Sequence, residues 1–155
     1  MLIKKAFVIL FLTLIMVSLL KAQEKGIGAG ILIGEPTGLS GKYWLDNSRA
    51  LDFGIGYSFA HTYSALSLHT DIVFPLPQIL KSKFLPLYYG MGVRIHINNK
   101  DGNTFGARGV LGSDWMFDNQ LLDVFIEIAP VFNLLPRTSL HLDLAVGSRY
   151  YFSAK

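Results

Sequence analysis

The chain has 155 residues, of which 51% are hydrophobic and 16% charged, with no cysteine and a formal charge of +3. That length allows one domain, and a charge content well below the roughly 25% of ordinary soluble chains excludes a water-facing surface of the usual size. Without disulfides, stability must come from burial or from closed hydrogen bonding.

Lys4 and Lys5 precede an apolar run from Ala6 to Leu20, and Lys21 and Ala22 lead into the polar Gln23-Glu24-Lys25. A basic start, an apolar stretch of about 15 residues and a small residue at the cleavage point predict a signal peptide over 1–22, since a spanning helix needs about 20 apolar residues. Cleavage after Ala22 leaves residues 23–155 as the second unit, and no cysteine follows to carry a lipid anchor. Loss of Lys4, Lys5 and Lys21 reduces the fourteen basic residues to eleven, equal to the eleven acidic ones. A neutral mature chain predicts no nucleic-acid partner, because such binding rests on excess basic charge.

The remaining apolar residues alternate. In chain order they give Ile27, Ala29, Ile31, Ile33; Leu39, Gly41, Tyr43, Leu45; Leu51, Phe53, Ile55, Tyr57, Phe59; and Leu66, Leu68, Thr70, Ile72, Phe74. They continue with Leu87, Tyr89, Met91, Val93, Ile95, Ile97, and then with Phe105, Ala107, Gly109, Leu111, Ser113, Trp115, Phe117. The last two sets are Leu122, Val124, Ile126, Ile128, Pro130, Phe132 and Leu140, Leu142, Leu144, Val146, Ser148, Tyr150, Phe152. Period two over eight segments predicts eight β-strands.

Turn residues separate the segments: Glu35-Pro36-Thr37-Gly38, Asp46-Asn47-Ser48, the Ala60 to Thr62 corner, Asn98 to Asn103, Asp118-Asn119-Gln120 and Leu135 to Ser139. Pro75 to Phe84 is longer and has room for one helical turn. Pro130 removes a ladder donor inside the seventh strand, which predicts a bulge or a local weakness there.

None of the alternating sets contains a charged residue. The opposite face carries Lys42, Asp52, Asp71, Arg94, Arg108, Asp114, Asp123, Glu127, Asp143 and Arg149, with His69, His96, His141 and many glycines. A soluble barrel would turn the apolar face inward and a membrane barrel would turn it outward. An eight-stranded barrel has an interior just wide enough for its own side chains, so the bulky apolar set does not fit inside, whereas glycines with a few long charged residues do. The fold class that follows is all-β: an eight-stranded antiparallel up-and-down transmembrane β-barrel, closed so that no strand edge meets hydrocarbon. Tyr43, Phe53, Phe74, Tyr89, Trp115, Phe117, Tyr150 and Phe152 are expected to form an aromatic belt at one interface, with Trp44 and Tyr88 beside them. Arg149-Tyr-Tyr-Phe152 resembles a C-terminal outer-membrane insertion signal, with three residues following it.

Four segments resemble a family: Ile33-Gly-Glu-Pro-Thr-Gly-Leu-Ser-Gly-Lys-Tyr-Trp44, Leu85-Pro-Leu-Tyr-Tyr-Gly-Met-Gly-Val-Arg-Ile95, Ile126-Glu-Ile-Ala-Pro130 and Gly147-Ser-Arg-Tyr-Tyr-Phe152. They are similar to small bacterial outer-membrane β-barrels of spirochaetes and other bacteria with two membranes, which look like the transmembrane domain of OmpA and like OmpX. The resemblance implies an eight-stranded barrel and brings no catalytic residues with it.

The candidate site is a lumen charge network of Lys42, Asp71, Arg94, Arg108, Asp123, Glu127, Asp143 and Arg149. Simple hairpin pairing sets Arg94 nearly opposite Arg108, so Glu127, Asp71 or Asp143 should lie between them, and it sets Arg149 near Asp123. Four basic residues against six acidic ones would favour cations if water passed, although a static polar plug is the simpler reading. His141-Leu-Asp143 with His96 is weak as an acid-base or metal site, because an H-x-D on a strand says only that both side chains share a face. No catalytic residue, metal or cofactor is expected. Gly26-Ile-Gly-Ala-Gly30 has the wrong spacing for a dinucleotide fingerprint, and Thr37-Gly-Leu-Ser-Gly-Lys42 has Tyr43 where a phosphate loop needs Ser or Thr. The expected role is non-enzymatic, envelope-structural or surface-interacting, in the bacterial outer membrane, with a narrow, weakly cation-preferring pore as the alternative and a lipid-modifying enzyme third. Outer-membrane lipid and the barrel assembly machinery are the expected partners. The outer loops are short, and Asn99-Lys-Asp-Gly102 is the segment that would contact a surface ligand weakly.

Overall fold

The computed structural model describes residues 26–59, 65–76, 86–98, 100, 102–117 and 121–152. The expected signal peptide, the Ala60 to Thr62 corner, the Asp118 to Gln120 turn and residues 77–84 of the long connection lie outside the described residues.

Eight strands form in chain order: β1 (Ile27–Gly34), β2 (Thr37–Asp46), β3 (Arg49–Ser58), β4 (Ala65–Pro75), β5 (Leu87–Ile97), β6 (Thr104–Phe117), β7 (Leu122–Leu135) and β8 (Ser139–Phe152). Each pairs antiparallel with the next, and β8 returns to β1 through Ile27↔Phe152 to Gly34↔Ala145. The sheet is therefore a closed up-and-down barrel. Closure gives every strand a neighbour on both sides, so backbone donors and acceptors are satisfied within the ladder. One end of the barrel holds the start of β1, the end of β8 and the β2–β3 turn. The other holds the β1–β2, β3–β4, β5–β6 and β7–β8 connections and is called the loop end below.

Period two in the sequence becomes period two in exposure. Along β7, Val124, Ile126 and Ile128 are exposed while Phe125, Glu127 and Ala129 are buried. The turns are tight. At the β1–β2 turn Gly34 takes φ +140°, a region that favours glycine. Its N–H donates to Thr37 Oγ1 at 3.1 Å, and Thr37 Oγ1 donates back to Gly34 O at 2.9 Å. At the β2–β3 turn the Asp46 carboxylate accepts from Ser48 Oγ (2.6 Å), Ser48 N (2.8 Å) and Arg49 Nε (2.5 Å). The Ser48 hydroxyl and Arg49 hold this carboxyl at about 2, below the ordinary carboxylate range.

Large rings fill the bore by lying over glycines on the neighbouring strand. A Cβ on Gly28 would come 2.7 Å from Tyr151, on Gly54 2.1 Å from His69, on Gly112 2.3 Å from Tyr88 and on Gly147 2.4 Å from Phe125. Each of these glycines is the direct register partner of the ring that covers it.

Several expectations need correction. Trp44 and Tyr88 are not belt residues: both point inward and are buried, joining Ala50, Val73, Val110, Ala129 and Tyr151 in an apolar cluster inside the barrel. Both belong to the inward parity, and their aromatic character had masked it. Among the expected belt residues, Tyr89, Phe117, Tyr150 and Phe152 are exposed, Phe74 and Trp115 are half-buried, and Tyr43 is only 9% exposed. Tyr43 keeps its register with Ile27 and Leu51, just before the shift between Trp44 and Asp46. Phe53 is exposed but sits mid-strand, paired with Gly41 and Thr70, rather than at a rim. Exposed Tyr57, Phe59, Phe105 and Phe132 stand towards the loop end, which the expected single belt did not include. No bulge forms at Pro130, but the expected local weakness does: the β6–β7 ladder skips Gly109↔Pro130 and Val110↔Ala129. The β6–β7 register holds the same offset at Arg108↔Val131 and Leu111↔Ile128 on either side of it, and the irregularity lies at Phe105/Gly106 instead. The last connection agrees with the expected turn: β7 continues to Leu135, β8 begins at Ser139, and Asn133 pairs with Ser139.

Gly30→Ala and Gly109→Ala test this packing as a pair. A Cβ on Gly30 would lie 1.8 Å from the Ser148 carbonyl oxygen, whereas one on Gly109 would meet only Pro130 Cγ at 3.7 Å. Gly30→Ala is expected to lower stability by about 1–3 kcal/mol. Gly109→Ala should leave the urea midpoint of the folded form, read by gel mobility, nearly unchanged.

Candidate functional site

Alternation puts the charged residues inside, and register determines which of them meet. At the terminal end, Lys42 Nζ donates to Asp114 Oδ2 at 2.9 Å and lies 3.7 Å from Asp52 Oδ1. The same ammonium sits 4.7 Å from the Tyr88 ring centre and 5.2 Å from that of Trp44, within cation–π range. Arg149 Nε donates to Asp123 Oδ2 at 3.0 Å, Nη1 lies 3.3 Å from Asp52 Oδ2, and the guanidinium stacks over Phe125 at 4.0 Å. Tyr151 completes this tier by donating its hydroxyl to Asp123 Oδ2 at 2.7 Å.

Mid-barrel, Arg108 is shared among three walls. Nη1 donates to Asp71 Oδ2, Nη2 donates to Glu127 Oε1 at 2.7 Å, and Nε lies 3.8 Å from Asp143 Oδ2. Tyr88 donates to the other oxygen of Glu127 at 3.0 Å. Nearer the loop end, Arg94 Nη1 donates to Asp143 Oδ1 at 2.5 Å and Nη2 to Asn133 Oδ1 at 3.4 Å. Asn133 in turn donates to Ser139 Oγ at 3.0 Å. The tiers join: Asp143 links Arg94 to Arg108, Glu127 and Tyr88 link Arg108 to Lys42, and Asp52 links Lys42 to Arg149.

Lys42, Asp71, Arg94, Arg108, Asp123, Glu127, Asp143 and Arg149 are therefore all inward and buried, each at no more than 5% exposure. Burial on this scale makes the pairs interdependent, since a charge deprived of its partner has no water to replace it. Arg94 and Arg108 are not opposite one another. Arg94 pairs with Gly106 and Arg108 with Gly92, a two-residue offset that sets a glycine across from each guanidinium and gives it room. Asp52 and Asp114 were on the charged face but outside the expected network, and Tyr88 and Tyr151 were not among its donors. The face pattern held the signal for both aspartates, but only cross-barrel distance shows that Asp52 bridges two cations.

The His141-Leu-Asp143 pair shares the inward face, yet Asp143 is engaged by Arg94 and Arg108 rather than by either histidine. His96 is buried and His141 half-buried, and both line a cavity at the loop end. No group of three or more metal-ligating side chains occurs among the described residues. The two glycine-rich sequences lie in the β1–β2 hairpin and its approach, in extended backbone without a following helix.

No protein-family model matches the chain, and no curated protein matches it. Among solved structures, the N-terminal β-barrel domain of Pseudomonas aeruginosa OprF aligns with a TM-score of 0.64 at 13% sequence identity. The alignment covers 83% of this chain and 98% of that one. At this identity the likeness concerns the fold alone, an eight-stranded closed barrel.

Arg108→Met leaves Asp71 and Glu127 buried without their cation and is expected to cost about 3–5 kcal/mol in unfolding free energy. Adding Asp71→Asn and Glu127→Gln removes the stranded charges and should recover part of that loss in the same urea titration.

Proposed function

We propose that the chain is a small bacterial outer-membrane β-barrel protein of non-enzymatic, envelope-structural or surface-interacting role, its lumen closed by side chains. The observation that carries this reading is an inverted partition of polarity. The buried set includes Lys42, Arg94, Arg108, Arg149 and five carboxylates, while twenty-eight large hydrophobic residues among the described ones are exposed on the outer wall. A soluble monomer rarely exposes a contiguous apolar patch beyond a few hundred Å². Hydrocarbon is the solvent that suits this wall, and a closed antiparallel barrel is the β-structure that hydrocarbon tolerates. Exposed aromatics towards both ends, with Tyr89 stacked on half-buried Phe74 at 5.5 Å between ring centres, suit two interfaces.

In this reading residues 1–22 direct export, residues 23–155 form the barrel, and the assembly machinery and outer-membrane lipid are its partners. The closer resemblance to spirochaete-type barrels and to OmpX rests on the four quoted sequence segments. Closure of the lumen is supported by the linked ion pairs together with the apolar cluster of Trp44, Val73, Tyr88 and Tyr151 towards the terminal end. A hydrated path would have to cross both.

Two measurements test this. The folded protein is expected to enter phosphatidylcholine vesicles and to run at a heat-modifiable position on a gel, and in planar bilayers it should give no ionic steps. Reproducible steps altered by Glu127→Gln would instead favour the narrow cation-preferring pore. A detergent-free soluble monomer would overturn the membrane assignment altogether.

A further inference from the structure

The two ends of the bore differ. Towards the terminal end lies the apolar cluster around Trp44 and Tyr88. The loop end opens into a cavity of about 660 Å³, within the roughly 300–1,000 Å³ range of small-molecule sites. Its polar wall comes from His96, Asn98, Asn133, Arg137, Ser139 and His141, and no carboxylate lines it among the described residues.

Two acids towards that end are engaged elsewhere among the described residues. Asp143 faces inward to Arg94 at 2.5 Å. Glu35, at the same end, accepts the Phe59 N–H through Oε2 at 3.1 Å. Arg137, by contrast, is exposed and makes no ion pair among the described residues. Beneath the cavity, Arg94 is bonded to Asn133 and is 2% exposed, and its Nε has no hydrogen-bond partner there. The cavity thus joins an unpaired guanidinium to amide, hydroxyl and imidazole groups that both donate and accept. A guanidinium favours a phosphate or carboxylate through two parallel hydrogen bonds, while amides and hydroxyls suit the hydroxyl groups of a sugar.

We propose that this loop-end cavity binds a phosphorylated sugar, with Arg137 on the phosphate and Asn98, Ser139 and His141 on the sugar hydroxyls. The same chemistry is offered by a free sugar phosphate and by the headgroup of a phosphorylated glycolipid. The proposal needs only the barrel mouth and stands whether or not the lumen conducts.

Calorimetric titration of the folded full-length protein in amine-oxide micelles tests it, with glucose 6-phosphate as the probe and glucose and inorganic phosphate as its separate halves. Saturable binding of glucose 6-phosphate, at least about tenfold tighter than either half, is expected. Arg137→Gln should weaken it by about tenfold or more, as loss of a hydrogen bond to a charged group does. Arg137 is exposed, so this variant should keep the folded gel mobility, and His141→Gln should reduce affinity by a smaller factor. No binding, equal binding of glucose, equal binding of inorganic phosphate, or an unchanged Arg137→Gln variant would each overturn the proposal. Repeating the titration in phosphatidylcholine vesicles with and without a phosphorylated glycolipid identifies the source. A signal lost only when the glycolipid is present assigns the site to the headgroup, and a signal that persists assigns it to the free ligand.

Discussion

An eight-stranded closed barrel leaves a bore just wide enough for its own side chains, and every second residue of each strand must fit into it. This limit, together with ladder pairing around the whole circumference, decides what each position can hold. Large rings are admitted where a neighbouring strand supplies glycine: Tyr88 over Gly112, His69 over Gly54, Phe125 over Gly147. Long cations are admitted where carboxylates from other walls reach them, as Asp71, Glu127 and Asp143 reach Arg108. Everything that is bulky, apolar and unneeded inside is left on the outer wall.

The interior is consequently ordered along its length. Towards the terminal end, cations lie against aromatic faces as well as carboxylates, with Lys42 near Trp44 and Tyr88 and Arg149 over Phe125. Further along, the guanidiniums of Arg108 and Arg94 share Asp143. Beyond Asn133 the ion pairs end and the bore widens into a polar cavity. Buried ion pairs of this kind are weak contributors to net stability but costly to break singly, so they fix one arrangement of the walls.

Much of the fold was legible because alternation is a strong signal when both faces are extreme. In β7 the sequence Val124-Phe-Ile-Glu-Ile-Ala129 reads as strand and gives the face of Glu127 without any structural input. Aromatic residues were misread for the same reason that charged ones were not: Trp44 and Tyr88 suit either an interface or a packed interior, and only parity separates the two. The network was legible as a set of residues on one face but not as a set of contacts. Arg94 and Arg108 illustrate this, since a two-residue offset in hairpin register replaces an apparent clash with two glycines. Asp52 shows the same limit. Its pairing with Lys42 is a hairpin register contact, but its reach to Arg149 on β8 depends on closure and not on any local pattern. Pro130 was half legible: the ladder is interrupted beside it as a missing donor requires, but Gly109 faces its ring, 3.7 Å from where a Cβ would stand, and the register on either side is unchanged.

The central claim is that the outer wall meets lipid while the bore is packed. The chain has no cysteine, so single cysteines at Val124, Phe125, Ile126, Ile128 and Ala129 can be spin-labelled in the protein reconstituted into vesicles. Oxygen, which concentrates in hydrocarbon, should relax the labels at 124, 126 and 128, while a water-soluble nickel chelate should not, and the labels at 125 and 129 should be shielded from both. Nickel access at 124, 126 and 128, or the absence of any two-residue alternation, would contradict it.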